Sequence, residues 1–219
     1  MLDYKGIKNP QIQSYNDCYK RYNKLYDWLI FFDIDEFIYL KDFTSLKLFI
    51  NNKKFNRCNR VQFNWLFHTD NNLLYYENKP VKERFTEREA KTRGKKSGGS
   101  QGIKSVIRGN INNFVITDVH ILNRHTRSCN GFGKRKKVKN IITTESDFDF
   151  YYIDHDYCKS TEEFINKVNK GCPLFSQDKN YKLRRIKDYF DINKITLEKI
   201  KMIETFTGFN LSEYKEKIK

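Results

Sequence analysis

The hydrophobic pattern is strongest in Trp28–Phe32, five consecutive apolar residues that lead directly into Asp33 and Asp35. An apolar run of this length, rich in aromatic and β-branched residues, is typical of a strand buried on both faces of a mainly parallel sheet. Because residues i and i+2 of a strand point to the same side, both carboxylates are expected to converge at its carboxyl end. Open α/β sheets bind their ligands at that end.

The rest of the pattern predicts helices and strands around this run. Apolar residues recur at spacings of three and four over Gln11–Tyr26, which predicts a helix with one aromatic face packed on the sheet. Capping residues and a closing glycine predict a helix over Thr161–Lys170. Further strands are predicted at Val61–Phe67, Ile103–Arg108, Phe114–Leu122 and Phe148–Ile153, and a short helix at Ser45–Asn51.

These elements predict an α/β fold with a mixed, mainly parallel sheet flanked by helices. Residues 1–175 are expected to form one catalytic domain, and residues 176–219 a helical, Lys-rich extension. The length of 219 residues suits one domain with a real core and such an appendage.

Charge and cysteine content narrow the choice of partners and compartment. The net charge is +15, which favours anionic partners. The five cysteines are odd in number and show no C-x-x-C spacing, so reduced thiols are expected rather than a zinc site or a disulfide framework. With no long apolar run and no signal peptide, a cytoplasmic location is expected. A basic run such as 134–137 is usually a solvated loop, and the alternative is peripheral contact with an anionic membrane or a glycan.

The residues themselves suggest two groups of ligand-binding side chains. Asp33 and Asp35 offer hard oxygen ligands that suit Mg²⁺ or Mn²⁺, and a cation held there could grip a diphosphate. Lys104 and Arg108 lie two alternations apart on one predicted strand, so they share a face that could also meet a diphosphate. The alternative for this second pair is a solvated strand edge.

Several motifs, in a fixed order, resemble glycosyltransferase family 92 and its D-x-D-E-F signature. The resemblance covers roughly residues 4–175. It rests on Tyr15-Asn16-Asp17-Cys18, Trp28–Ile38, Asn64-Trp65-Leu66-Phe67, Glu83-Arg84-Phe85, Lys104–Arg108, Val119-His120 and His155–Ser160, followed by Glu163-Phe164 and Lys167. Single motifs are weak, whereas several in order are specific.

The resemblance implies a GT-A type fold and an inverting, metal-dependent transfer of a sugar from a nucleotide-sugar donor to a glycan or lipid-linked acceptor. It further implies that His155 completes the metal shell of Asp33 and Asp35, and the alternative is a loop histidine satisfied by nearby protein groups. An inverting transfer needs a base, for which Asp70 and Glu83 are the candidates.

Two expectations concern the extent of the donor site. The family has a further amino-terminal part of the nucleotide-binding sheet before the residue that matches Tyr4, so this chain is expected to be truncated. Alone it is expected to self-associate, to bind metal and to transfer no sugar. The glycine- and lysine-rich loop Lys91–Gly102 is expected to close over bound donor.

Two other functions remain open from the sequence alone. A haloacid-dehalogenase-like phosphatase would use Asp33 as nucleophile and Asp35 as acid and base. It needs a later paired-aspartate loop, which Asp147-Phe148-Asp149 fits poorly. A basic nucleic-acid-binding module agrees with the charge, but none of the known nucleic-acid-binding motifs occurs, so a nucleic-acid partner is not expected.

Overall fold

A computed structural model of the chain describes Tyr4, Gly6, Ile218 and the ranges 9–89, 102–136, 148–171 and 179–216. The chain divides into two compact units. The first unit comprises Met1–Trp65 and Gln101–Asp154, and the second comprises Leu66–Ser100 and His155–Lys219.

The described residues form a mixed sheet. Its strands are β1 Trp28–Ile30, β2 Glu36–Leu40, β3 Arg60–Phe67, β4 Ile103–Arg108, β5 Ser128–Cys129, β6 Arg135–Lys136 and β7 Tyr151–His155. Their order is β1-β4-β3-β5-β6, and β7 pairs with β3 and β2. The β1–β4, β4–β3 and β5–β6 pairs are antiparallel, and β3–β5 is parallel. The predicted α/β class, a sheet flanked by helices, is confirmed.

All eight residues of strand β3 are buried. Its Phe63 meets Tyr151 and Phe49 with ring centroids 5.9 and 5.8 Å apart, respectively. Aromatic packing of this kind adds to the free energy gained from apolar burial. The strands predicted at Val61–Phe67 and Ile103–Arg108 are both confirmed, because each has neighbours on both edges.

Helix α1 (Pro10–Tyr22) lies in the first unit and is shorter than predicted. Tyr19 is buried, and Tyr15 stacks on Phe31 with ring centroids 4.3 Å apart. Tyr22 and Tyr26 are exposed, so the prediction that the whole aromatic stripe packs on the sheet is wrong for its second half.

The run around Asp33 is not one strand. Strand β1 ends at Ile30, and Glu36 opens β2 after its backbone N–H donates to the Asp33 carbonyl across a turn. Ile34, between the two aspartates, is 96% exposed. The prediction of a continuous strand buried on both faces and paired in parallel is therefore wrong for β1, and a turn replaces the expected strand end.

Residues 114–122 also fail to form the predicted strand. The Asp118 side chain accepts the backbone N–H groups of His120 and Ile121 at 2.8 and 2.7 Å. Short polar side chains that bond to nearby backbone in this way compete with strand pairing. The segment is therefore a turn, closed by the isolated bridge between Asp118 and Leu122.

The expectation that the cysteines stay reduced is wrong for two of them. Cys58 and Cys129 form a disulfide between residues 71 positions apart in sequence. Cys18 and Cys158 are free. Irregular spacing hid the pairing, because two distant cysteines meet only once β5 lies beside β3. The sequence argument for a cytosolic location from reduced thiols therefore loses its support.

The second unit is helical. Its helices are α3 Val81–Arg84, α4 Thr161–Lys170, α5 Lys179–Ile192, α6 Leu197–Thr207 and α7 Ser212–Lys215; the short α2 Leu46–Ile50 belongs to the first unit. Helices α5 and α6 pack against α4, where Phe164 stacks on Tyr189 with ring centroids 4.2 Å apart.

Helix α4 has the bounds that its sequence predicts. The Ser160 side chain accepts the backbone N–H of Glu163, and the Glu163 carboxylate accepts the backbone N–H of Ser160. This reciprocal pair is a capping box, which satisfies two donors left free at a helix start. The Glu163 carboxylate also accepts hydrogen bonds from the two terminal guanidinium nitrogens of Arg84, at 2.6 and 3.3 Å.

Two further sequence expectations concern the loop Lys91–Gly102 and membrane-spanning helices. Apart from Gly102, the loop Lys91–Gly102 lies outside the described residues, so its expected closure stays a prediction. Within the described ranges, no helix combines the length and the apolar character needed to cross a membrane.

Candidate functional site

The turn between β1 and β2 places Asp33 beside a buried ammonium group. Asp33 Oδ2 lies 3.0 Å from Lys104 Nζ, and its Oδ1 lies 3.5 Å from Gln11 Nε2. The Asp33 side chain is 40% exposed, whereas that of Lys104 is 1% exposed. Lys104 comes from β4, next to β1, so the sheet register brings the two residues together. The pair therefore offers solvent one carboxylate backed by a fixed positive charge.

Glu36 ties this turn to the sheet. Its Oε1 accepts the indole N–H of Trp65 and its Oε2 accepts the backbone N–H of Asp33, both at 2.9 Å. Lys104 Nζ lies 3.7 Å from Oε2. Burial raises the pKa of Glu36 to about 7, although the Lys104 ammonium and the two hydrogen bonds oppose this rise. Glu36 thus fixes the shape of the turn that carries both aspartates.

Aromatic side chains enclose the same cluster. The Trp65 indole meets the His120 ring edge-on, with ring centroids 5.0 Å apart. Burial, together with the charge of Lys104, lowers the pKa of His120, so its ring is neutral at pH 7. A Cβ on Gly102 would lie 2.2 Å from Trp65 Cε3, so only glycine fits beneath the indole. These contacts hold Trp65 in place to bond Glu36.

The structure brings Lys104 to the turn that carries Asp33 and Asp35, whereas the sequence predicted a strand end there; the roles of the three residues stay predictions. Asp33 and Asp35 do not alternate along a strand, so the argument from i, i+2 spacing does not apply. Asp35 is half-buried on the turn. Sequence reasoning missed Gln11 and Trp65, whose positions follow only from packing of α1 and β3.

Arg108 lies at the far end of β4 from Lys104. Its guanidinium stands 4.2 Å from the centroid of the Trp28 ring. It donates to the carbonyls of Cys58 and Phe55 at 3.1 and 3.0 Å. These bonds join β4 to the 3₁₀ turn Lys53–Phe55. Its predicted part in holding a diphosphate stays a prediction.

Of the two candidate bases, Asp70 is buried and Glu83 is exposed. Asp70 forms an ion pair with Lys199 at 2.7 Å and accepts the hydroxyl of Tyr189. Burial, with the neighbouring Asp70 charge, raises the pKa of Tyr189 well above its usual value. Glu83 lies on the one-turn helix α3. Neither role as base is tested by this geometry.

His155 ends β7 and belongs to the second unit, whereas Asp33 and Asp35 belong to the first. The His155 ring is buried between Phe67 and Tyr157, with ring centroids 5.2 and 5.6 Å away. The expected joint metal shell of His155 with the two aspartates therefore stays a prediction.

The carboxylate oxygens of the turn suit a divalent cation that is bound through few protein ligands. Across the described ranges, no three His, Cys, Asp or Glu side chains gather as a ready-made metal cage. Mg²⁺ is commonly bound through one or two carboxylates, with waters and substrate phosphates completing its shell. Asp33, with its exposed side chain, and the neighbouring Asp35 fit this mode.

Comparison with known proteins identifies the family. No curated protein matches the chain. The model of glycosyltransferase family 92 matches residues 7–194, most of the chain, including the turn with Asp33, Asp35 and Glu36. The resemblance seen in the ordered motifs is thus confirmed, and the match continues beyond α4. The chain belongs to glycosyltransferase family 92 and is a glycosyltransferase.

Proposed function

We propose that this glycosyltransferase moves a sugar from a nucleotide-sugar to a glycan or lipid-linked acceptor with inversion, and that Mn²⁺ or Mg²⁺ assists at Asp33 and Asp35. The observation that carries the proposal is the contact of Asp33 with buried Lys104 on a turn fixed by Glu36. Donor and acceptor classes follow from the family. The choice of cation follows from the carboxylate oxygens of the turn, which would be its ligands.

The residues of the turn would act on the diphosphate end of the donor. A divalent cation bound there would neutralise negative charge on the leaving diphosphate. Lys104 adds a positive charge that is already buried, so little reorganisation is needed as charge develops. Glu36 contributes by holding the Asp33 backbone before any ligand arrives.

The base that inversion requires is assigned less directly. Asp70 and Glu83 remain the proposed candidates. Asp70 would have to exchange its ion pair with Lys199 for an acceptor hydroxyl, whereas Glu83 is exposed and needs no such exchange. A pH–rate profile of each Asn or Gln variant would separate them, since loss of the base removes the acidic limb of the profile.

The cation site is tested by calorimetry of the full chain. Asp35→Asn is expected to weaken Mn²⁺ binding by about tenfold or more, because an anionic ligand is lost with little change of shape. Asp42→Asn, in an exposed position of the first unit, is the matched control and should bind as the wild type does. Equal Mn²⁺ affinity in wild type and Asp35→Asn would contradict the proposal.

Sugar transfer is tested by release of nucleoside diphosphate from a panel of nucleotide-sugars. Transfer or donor hydrolysis that depends on Mn²⁺ supports the proposal. Hydrolysis of a phosphate monoester through Asp33, with no donor turnover, would instead favour the phosphatase alternative.

A further inference from the structure

A basic cleft lies in the first unit, apart from the turn around Asp33. Its volume is about 810 Å³, and it shares no lining residue with the cluster of Asp33, Glu36, Lys104 and Trp65. Four arginines and lysines line it together with one histidine, and no Asp or Glu is among the described residues that do so. These are Arg124, His125, Arg127, Arg135 and Lys136.

A fifth positive charge is buried directly behind this cleft. Arg60 is fully buried, and its guanidinium donates to Ser128 Oγ at 3.2 Å and to the Asn123 carbonyl at 2.8 Å. Both residues line the cleft. Its Nη2 has no hydrogen-bond acceptor among the described protein atoms. Burial lowers the pKa of Arg60 to about 10, with Asp118 opposing the shift, so the group stays charged at pH 7.

A buried cation with an incomplete set of acceptors is costly, and a nearby anion offsets that cost. The electrostatic effect of Arg60 is also less screened by solvent than that of a surface arginine. The cleft therefore has a cause for attracting anions beyond its exposed side chains.

One wall of the cleft is held rigidly. Strands β5 and β6 pair through Ser128 with Lys136 and through Cys129 with Arg135. The Cys58–Cys129 disulfide fixes β5 to the segment before β3. Arg135 and Lys136 are therefore presented from a fixed backbone, which lowers the entropy lost when they bind a ligand.

We propose that this cleft binds the phosphate or sulfate ester of a saccharide. The volume is within the range of small-ligand sites and accommodates a sugar ring with its ester. The concave shape favours such a group over a flat membrane surface. Neutral hydrogen-bonding side chains beside the cations, Asn59, Asn112, Asn113 and Thr126, suit the hydroxyls of the sugar.

The test is calorimetric titration of the full chain with glucose 6-phosphate, glucose and inorganic phosphate, without divalent cations. Glucose 6-phosphate is expected to bind more tightly than inorganic phosphate, less tightly as NaCl rises, and glucose not at all. Arg124→Gln with Arg135→Gln should weaken binding by about tenfold or more, since two charge-assisted contacts are lost. Lys47→Gln with Lys53→Gln removes the same charge from exposed positions outside the cleft and should change little.

A second measurement avoids any effect of the variants on folding. Phenylglyoxal modification of Arg124 and Arg135 in the wild type, read by peptide mass spectrometry, should slow in the presence of glucose 6-phosphate but not of glucose. The proposal would be overturned if the two double variants bound glucose 6-phosphate with equal affinity, or if glucose 6-phosphate did not protect Arg124 and Arg135. It would also be overturned if the wild type bound inorganic phosphate as tightly as glucose 6-phosphate. Binding to phosphatidylserine–phosphatidylcholine vesicles without binding to glucose 6-phosphate would overturn it too, and would indicate a membrane surface instead.

Discussion

Burial sets the charge state of single residues around the turn. Glu36 and Lys104 are both buried, yet each has partners that satisfy most of its polar atoms. Lys104 compensates two carboxylates at once, at 3.0 Å from Asp33 and 3.7 Å from Glu36. Because burial raises the pKa of Glu36 to about 7, one of these carboxylates changes charge close to neutral pH.

The contribution of Glu36 to the free energy of unfolding falls as pH rises. In the unfolded chain the carboxyl ionises near its ordinary value, whereas in the folded chain it keeps its proton to about pH 7. Between those values the folded state binds more protons, so stability decreases with rising pH. Melting temperatures of wild type and Glu36→Gln in metal-free buffer should therefore differ increasingly in favour of Glu36→Gln from pH 5 to pH 8. A difference independent of pH would show that Glu36 ionises normally.

Sequence reasoning found part of this cluster. The carboxylates of the D-x-D-E-F segment stand out because they follow a strongly apolar run, where their presence needs a cause, and Lys104 stands out as a usual kind of phosphate partner. The partners of Glu36 could not be found in that way. The sequence places Trp65 only in the predicted strand Val61–Phe67 and in a family motif, and its bond to Glu36 depends on a cross-sheet approach that no local pattern encodes.

Among the elements, those with strong local signals were predicted best. Helix α4 has a capping box at its start and a glycine after its end, and β3 and β4 contain β-branched and aromatic residues, which favour strands. The failures lie at 31–35 and 114–122, where Asp side chains and turns replace strand pairing. In these two segments, local hydrogen bonds stabilise turns where the hydrophobic pattern predicts strands.

Removal of the cap of α4 should measurably destabilise the second unit. In Ser160→Ala the backbone N–H of Glu163 loses its acceptor, and the expected loss of stability is about 1 kcal/mol. Thr205→Ala removes an exposed hydroxyl from inside α6 and should stay within about 0.5 kcal/mol of wild type. Urea unfolding of both variants gives the comparison. If the two losses are equal, the capping box contributes nothing specific.

At the scale of the whole molecule, one covalent link joins distant parts of the chain. The disulfide between Cys58 and Cys129 closes a loop with a sequence separation of 71. A cross-link of this kind stabilises a fold largely by restricting its unfolded state. The link could not be predicted because five cysteines allow many pairings and the spacing favours none of them.

Loss of this disulfide should cost about 2–4 kcal/mol. The change is Cys58→Ser with Cys129→Ser, and Cys18→Ser is the control because Cys18 is a free thiol. Chemical denaturation under non-reducing conditions measures the difference. Alkylation of the denatured wild type, followed by peptide mass spectrometry, should leave Cys58 and Cys129 unmodified until reductant is added. Alkylation of all five without reductant would contradict the link.

The division of the chain at residue 176 remains a prediction, and the packing of the second unit supplies its test. A chain ending at residue 175 lacks α5 and α6, which exposes Phe164 and removes Lys199 from buried Asp70. An exposed apolar face promotes association. Residues 1–175 should therefore aggregate more strongly in light scattering than a chain ending at Lys215.

The outcome of this truncation shows whether the last helices complete the core of the second unit or form an appended extension. If residues 1–175 aggregate alone but become soluble when residues 176–219 are supplied as a separate peptide, α5 and α6 complete the core of the second unit. A monodisperse 1–175 chain with a wild-type melting temperature would mean that the last helices are an appended extension. Since the family match runs to residue 194, through α5 and short of α6, we expect the first result.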